Sequence, residues 1–309
     1  MLTCSNTPWC RAPMLYRAVS LMLLCAMVVS VNVGCASSST RSYESYLTVQ
    51  KVDYQHGDVK LQGVLAVNDY QGHWVTKPSP KHKRPAVLII HEWWGLNEYA
   101  ISRAKKLANE NFIVFALDMY GQGKHSDNVE DAKAWSSEFY GKPLMAQRAQ
   151  AGLDVLRKDP RVDPNNIYVI GYCFGGTAAV ELAYSGADIK GAVSFHGTPA
   201  APTPEQAAAT KASLLILTGG SDPMFDAKAR NTLAAGLEAT DIDWSMIVYG
   251  HAKHSFTNPN SDKYNIPGVG YNKQADAQSW RAFHEFVNFP QTTNKHTHTK
   301  CVSVPTETD

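Results

Sequence analysis

The chain has 309 residues, of which 44% are hydrophobic, and its formal net charge at pH 7 is +1. This length and composition are typical of one large globular domain with extensions. The near-zero charge excludes a global field that would favour nucleic acid or an anionic membrane surface.

The N-terminus has the pattern of an export signal. Arg11 and Arg17 precede an apolar run over residues 18–31, which is as long as a signal-peptide core and short for a membrane span. The run leads to Gly34-Cys35-Ala36 and a polar stretch, which resembles a bacterial lipoprotein cleavage box with Cys35 as the lipidated residue. Ordinary signal cleavage after Ala36 is the alternative.

These features set the expected organisation of the chain. We expect a signal segment over residues 1–35, with Met1 or Met14 as the start, and a flexible linker over residues 36–44. The protein would then be exported to the bacterial cell envelope or periplasm. Its only membrane contact would be the lipid anchor at Cys35.

The six cysteines do not form an obvious disulfide framework. Cys4, Cys10, Cys25 and Cys35 fall in the signal region, which leaves Cys173 and a cysteine in the polar C-terminal tail, Cys301. A lone cysteine in a sharp turn is better explained by reactivity than by bridging.

The first predicted elements after the linker form a β-hairpin. Strands are predicted over residues 46–54 and 59–67, with a turn at 55–58. Residues 69–85 contain several prolines and read as an exposed loop.

From residue 86 onward, apolar strands alternate with amphipathic helices. The predicted strands cover residues 86–90, 112–117, 167–170, 192–195, 214–217 and 244–248. The predicted helices cover residues 98–110, 130–139, 144–157, 177–184, 227–237 and 275–289. This pattern indicates an α/β fold: a mostly parallel sheet covered by helices on both faces, with the hairpin as an antiparallel edge. The predicted domain spans residues 45–290, and residues 291–309 read as a disordered tail.

The segment Gly171-Tyr172-Cys173-Phe174-Gly175 has the form G-x-nucleophile-x-G between a strand and a helix. Such a turn strains the backbone of the nucleophile and lifts its side chain above the sheet edge. Gly171 and Gly175 are expected because a Cβ there would collide with the tight turn. The alternative is a buried structural cysteine.

An acid and a histidine follow later strands in the order nucleophile, acid, histidine. Asp222 follows the strand over 214–217, and His254 follows the strand over 244–248. Histidine suits the deprotonation of a thiol, and the acid would hold the imidazole in the required tautomer. Two alternatives stay open: His251 could replace His254, and Asp222 could cap a helix beginning near Pro223.

The loop after the first core strand supplies further candidates. Backbone N–H groups of Trp93, in this loop, and of Phe174, directly after the nucleophile, are expected to form an oxyanion hole. Glu92 places a carboxylate at the same strand end and is either functional or a solvated loop acid.

Four motifs together resemble the dienelactone hydrolase (carboxymethylenebutenolidase) family. They are His91-Glu92-Trp93-Trp94-Gly95-Leu96-Asn97, the segment from Gly171 to Gly176, Gly220-Ser221-Asp222 and His254-Ser255-Phe256. The resemblance implies an α/β-hydrolase fold in which Cys173 is the nucleophile, His254 the base and Asp222 the orienting acid. It also implies that Glu92 interacts with the thiol and helps to deprotonate it when substrate arrives.

The resemblance further implies the hydrolysis of a small ester or lactone through a thioester, without a metal or organic cofactor. Enzymes of this family that act on dienelactone hold its carboxylate with two arginines, at positions that Gln122 and Asn258 occupy here. We therefore expect a neutral substrate and a pocket mouth lined by the aromatic side chains of Trp93, Trp94 and Phe174. The alternatives are a non-catalytic envelope binding protein on a hydrolase scaffold and, with no second cysteine near Cys173, a weaker thiol-redox role.

Overall fold

The structure is a computed structural model that describes residues 46–69 and 83–288. The expected signal segment, the linker, the lipidation candidate Cys35, the C-terminal tail and most of the loop over 69–85 lie outside these residues. Within the described part of the chain, no helix combines the length and hydrophobicity needed to cross a membrane.

One eight-stranded sheet runs through the domain in the order β1-β2-β4-β3-β5-β6-β7-β8. Strand β1 pairs antiparallel with β2, and β2 pairs antiparallel with β4, whereas all remaining neighbours are parallel. The strands are β1 (Leu47–His56), β2 (Val59–Asn68), β3 (Arg84–Ile90), β4 (Ile113–Ala116), β5 (Val162–Tyr172), β6 (Gly191–Phe195), β7 (Ser213–Gly219) and β8 (Trp244–Tyr249). The predicted mostly parallel sheet with an antiparallel hairpin at its edge is confirmed.

The helices are α1 (Glu98–Asn109), α2 (Val129–Ser137), α3 (Leu144–Arg157), α4 (Phe174–Tyr184), α5 (Pro204–Ala209), α6 (Ala227–Glu238) and α7 (Lys273–Asn288). Alternate residues of the central strands point to opposite faces of the sheet. Thus Leu88 packs in the hydrophobic core with residues of α3 and α4, whereas Ile89 packs in a second core with residues of α1 and α7. Helices therefore cover both faces, as expected.

Helix α5 and a 3-10 helix that follows His254 were not predicted. Helix α5 begins with a capping box in which the side chains of Thr203 and Gln206 satisfy each other's backbone N–H groups. This signal is visible in the sequence. A 3-10 helix, Ser261–Tyr264, lies in the loop after His254. Helix α4 also begins earlier than the predicted residue 177, because the chain turns into the helix directly after Cys173.

Candidate active site

Cys173 occupies a strained turn between β5 and α4. Its φ of 55° and ψ of −117° lie in a region that non-glycine residues rarely adopt. A Cβ at Gly171 would collide with the backbone of Gly175, and a Cβ at Gly175 would collide with the carbonyl of Ile90. The two glycines thus let α4 pack against the end of β3, and the half-buried Cys173 side chain sits at the carboxyl edge of the sheet.

Three loops bring the side chains of Cys173, Asp222 and His254 together. His254 Nε2 lies 3.0 Å from Cys173 Sγ, and His254 Nδ1 lies 2.8 Å from Asp222 Oδ2. Only 3% of His254 and 2% of Asp222 are exposed, so water competes little for these bonds. His251, the alternative histidine, is exposed at the surface. The arrangement has the connectivity of a nucleophile, a base and an orienting acid.

Asp222 does not cap a helix, so that alternative is wrong. Helix α6 begins at Ala227, and its N-cap is Asp226, whose carboxylate accepts the N–H of Ala229 at 2.8 Å. The second oxygen of Asp222, Oδ1, accepts the N–H of Met224 at 2.8 Å. This bond fixes the carboxylate so that its other oxygen faces His254.

The surroundings favour the protonated form of His254. Burial alone would lower the pKa of His254, but the charge of Cys173 and the hydrogen bond and charge of Asp222 raise it well above its usual value. The geometry therefore suits His254 to take a proton from Cys173 and to hold it beside the Asp222 carboxylate.

Glu92 is a buried carboxylate beside this group. It is 2% exposed and accepts hydrogen bonds from Ser255 Oγ at 2.8 Å and from Asn258 Nδ2 at 2.7 Å. Burial raises the pKa of Glu92, although these two bonds oppose the shift. It is therefore not a solvated loop acid. Within residues 46–69 and 83–288, no hydrogen bond joins Glu92 to Cys173, whose sulfur is bonded to His254 instead.

Buried contacts fix the peptide group between Glu92 and Trp93. His91 Nε2 accepts the N–H of Met119 at 3.2 Å, so its protonated Nδ1 donates to the Glu92 carbonyl at 2.5 Å. In a trans peptide the N–H points away from the carbonyl, so this bond also directs the N–H of Trp93. Across the described residues, neither this N–H nor that of Phe174 has a protein acceptor.

The aromatic side chains around the elbow differ partly from expectation. Trp93, Trp94 and Phe174 were all expected at the mouth of the pocket, but only Trp93 is partly exposed. Trp94 stacks on Tyr264 with ring centroids 3.8 Å apart, and Phe174 is fully buried among aromatic rings that include Tyr120 and Phe139. Trp94 and Phe174 bury their large rings by packing in the protein interior, which leaves little of their surface for contact with a ligand.

The two positions expected to replace arginines have different surroundings. Gln122 lies on an exposed turn, where its backbone N–H donates to the carbonyl of Lys60 at 3.0 Å. Asn258 is 1% exposed, and its side-chain amide is already used by Glu92. Neither side chain supplies a positive charge near Cys173.

Sequence reasoning missed His196, which follows strand β6. It is fully buried, and its Nδ1 accepts the N–H of Cys173 at 3.1 Å. The rule that located the other candidates, inspection of the residue after each parallel strand, also applies to β6 and would have found it. Among the described residues, no group of three or more His, Cys, Asp or Glu side chains is arranged to hold a metal ion.

The fold and the site together define an α/β-hydrolase with a cysteine at the nucleophile elbow. A family model described as the dienelactone hydrolase family matches residues 71–289. The chain therefore belongs to the dienelactone hydrolase family, which makes it a hydrolase that acts on ester or lactone bonds.

Individual relatives agree with this assignment. Protein usf of Aquifex pyrophilus is 29% identical over 216 residues, which cover 68% of this chain and 87% of that protein. A protein of Aquifex aeolicus named "Putative carboxymethylenebutenolidase" is 28% identical with the same coverage. The crystal structure of a dienelactone hydrolase-like promiscuous phosphotriesterase from metagenomic libraries is 30% identical, with a TM-score of 0.72. That alignment covers 78% of this chain and 98% of the other.

Proposed function

We propose that this protein hydrolyses uncharged carboxylic esters or lactones through a thioester on Cys173, with His254 as the base and Asp222 as the orienting acid. The proposal rests on two hydrogen bonds, which join Cys173 Sγ to His254 Nε2 at 3.0 Å and His254 Nδ1 to Asp222 Oδ2 at 2.8 Å. A non-catalytic binding protein would have no need for a strained cysteine that is hydrogen-bonded to a histidine, which is in turn hydrogen-bonded to an acid.

The first half of the reaction forms the acyl-enzyme. The Cys173 thiolate attacks the carbonyl carbon, and the resulting oxyanion accepts hydrogen bonds from the N–H groups of Trp93 and Phe174. The C–O bond to the alcohol then breaks, and the His254 imidazolium gives its proton to the departing alkoxide. The products of this half are a free alcohol and a thioester on Cys173.

The second half regenerates the enzyme. Neutral His254 takes a proton from water, and the hydroxide attacks the thioester carbon in the same oxyanion hole. The C–S bond breaks and releases a carboxylic acid and the thiolate. Glu92, whose raised pKa brings it closer to neutral pH, assists the deprotonation of the thiol when substrate arrives.

The surroundings of Glu92 support an uncharged substrate. A buried carboxylate close to the reacting groups repels an anion. Arg103, the buried cation nearby, is engaged by Asp276 at 2.7 Å and by the carbonyl of Thr257. A substrate carboxylate would therefore lack a charged partner here.

We further propose that the protein acts in the cell envelope after export, anchored by lipid at Cys35. The support for this is the N-terminal sequence pattern alone.

The test of the proposed reaction is a panel of p-nitrophenyl esters and small lactones assayed with wild type, Cys173→Ala and Cys173→Ser. Wild type should turn over, Cys173→Ala should be inactive, and Cys173→Ser should retain little activity because the site is built around a thiolate. Labelling of Cys173 with iodoacetamide should abolish turnover. Full activity of the labelled protein or of Cys173→Ala would refute the assignment of the nucleophile.

A further inference from the structure

Another buried histidine, His196, connects the two loops that carry the reacting pair. His196 follows β6 with a φ of 43° and is fully buried. Its Nδ1 accepts the N–H of Cys173 at 3.1 Å, and its Nε2 lies 2.7 Å from the hydroxyl of Thr257. Thr257 lies three residues after His254 in the same loop. His196 thus bonds to the nucleophile's own backbone and to the loop that carries the base.

The hydrogen-bond partners define the tautomer of His196. A backbone N–H can only donate, so Nδ1 is the unprotonated nitrogen and Nε2 carries the hydrogen. Nε2 therefore donates to Thr257 Oγ1, whose own hydrogen-bonding partner is the hydroxyl of Tyr99 at 2.5 Å. Each polar group of this buried chain has a partner.

His196 must also stay neutral to serve this site. Its ring centroid lies 5.5 Å from that of His254, so a second positive charge would repel the imidazolium. Burial, and then the charge of His254, hold the pKa of His196 well below its usual value. The other facing charge is Arg103, which also disfavours protonation of His196.

Thr257 is held from its far side as well. Its carbonyl accepts a hydrogen bond from Arg103, which is itself paired with Asp276 at 2.7 Å on helix α7. Helices α1 and α7 therefore fix Thr257, and the hydrogen bond from His196 to the Thr257 hydroxyl in turn fixes His196 against the backbone of Cys173. The backbone of Cys173 also donates to the carbonyl of Phe195 at 2.9 Å, so the elbow does not depend on His196 alone for its folding.

We infer that His196, acting with the Thr257 hydroxyl, is a positioning residue that sets the separation of Cys173 Sγ and His254 Nε2 and so stabilises the thiolate–imidazolium pair. The inference rests on the proposed function, since it assigns a role relative to that pair. It assigns no contact with substrate to His196.

The experiment measures the rate of Cys173 alkylation by iodoacetamide from pH 5 to 9, together with kcat and KM. Thr257→Val removes the hydroxyl at nearly constant volume, whereas Thr257→Ser keeps it. His196→Asn keeps an acceptor near the Nδ1 position but loses the reach to Thr257. Tyr99→Phe is the matched control, because it removes only the outer hydroxyl of the chain.

Thr257→Val and His196→Asn should each shift the pH midpoint of alkylation upward by about one unit and lower kcat roughly tenfold, with KM unchanged. The double variant should be no worse than the worse single variant, because both break the same link. Thr257→Ser should behave as wild type, and Tyr99→Phe should shift the midpoint by less than half as much. Thermal unfolding verifies that each variant is folded.

Two results would overturn the inference: an unchanged pH midpoint in folded Thr257→Val, or losses in the two single variants that simply add. Failure of the proposed function would look different. In that case wild type itself would alkylate with the pH dependence of an ordinary thiol, with a midpoint near pH 8.5, and no variant could move it.

Discussion

The substitution Asp222→Asn separates the orienting role of this carboxylate from a structural one. The N–H of Met224 needs an acceptor, so the oxygen of the new amide should stay 2.8 Å from it, where Oδ1 lies now. The amide nitrogen would then face His254 Nδ1 and donate to it. The neutral imidazole would carry its hydrogen on Nε2, which faces Cys173 Sγ, and could not accept the thiol proton.

The size of the effect follows from this change of tautomer. Loss of the orienting acid should lower kcat on the order of 10²–10⁴-fold, by analogy with other triads. That is about 2.7–5.4 kcal/mol of activation free energy at 1.36 kcal/mol per tenfold. The free energy of unfolding should change by less than about 2 kcal/mol, because the amide keeps the volume and the Met224 bond and removes the cost of a buried carboxylate.

The assay compares kcat and the melting temperature of Asp222→Asn with those of Asp226→Ala. Asp226 is the N-cap of α6, so its loss should cost about 0.5–2 kcal/mol of stability and leave kcat unchanged. The two variants should therefore be distinguished by kcat, which Asp222→Asn lowers and Asp226→Ala leaves unchanged. If Asp222→Asn melts earlier and retains kcat within twofold, its carboxylate supports the fold only, and the reasoning is refuted.

Three further predictions concern charge and export. Because the pKa of Glu92 is raised in the folded protein, protonation of Glu92 contributes to the stability of the fold. This contribution is fully present below about pH 4.5, the usual pKa of a glutamate, and is lost as the pH rises through the raised pKa. The melting temperature of Glu92→Gln should therefore exceed that of wild type by more at pH 8 than at pH 4.5. An equal difference at both pH values would contradict the burial argument. A neutral ester should have a higher kcat/KM than its ω-carboxylate analogue, by up to a few powers of ten if two charge-assisted bonds of roughly 1.5–3 kcal/mol each are missing; preference for the anion would mean that another cation, such as Lys124 or Lys253, supplies the charge. Mass spectrometry of the mature N-terminus should find diacylglycerol on Cys35, and an unprocessed Met1 or Met14 would refute export.

Local sequence signals were sufficient for most of the sheet. Each of the strands β3 to β7 contains a short apolar run, and a run of that kind has few alternatives to a buried parallel strand. The ends were harder to place. Helix α4 was predicted to begin at 177, after the glycines of the elbow, whereas the observed start at Phe174 depends on the turn geometry at Cys173.

The principal side chains of the site were predictable because parallel strands deliver their following residues to one edge. The partners of those side chains were not. Nothing in the spacing of Glu92, Ser255 and Asn258 indicates that the last two donate to the first, since their loops meet only after the sheet forms. Likewise, the choice between His251 and His254 required the path of the loop, which exposes one ring and buries the other.

Trapping of the acyl-enzyme tests the central proposal most directly. Wild type is mixed with a p-nitrophenyl ester, quenched in acid within the first turnover and digested for mass spectrometry. We expect an added acyl mass on the peptide that contains Cys173, removable by hydroxylamine as a thioester is, and no such mass on Cys173→Ala. An active enzyme in which the acyl group is found on another residue, or in which Cys173→Ala retains the burst of p-nitrophenol, would contradict it.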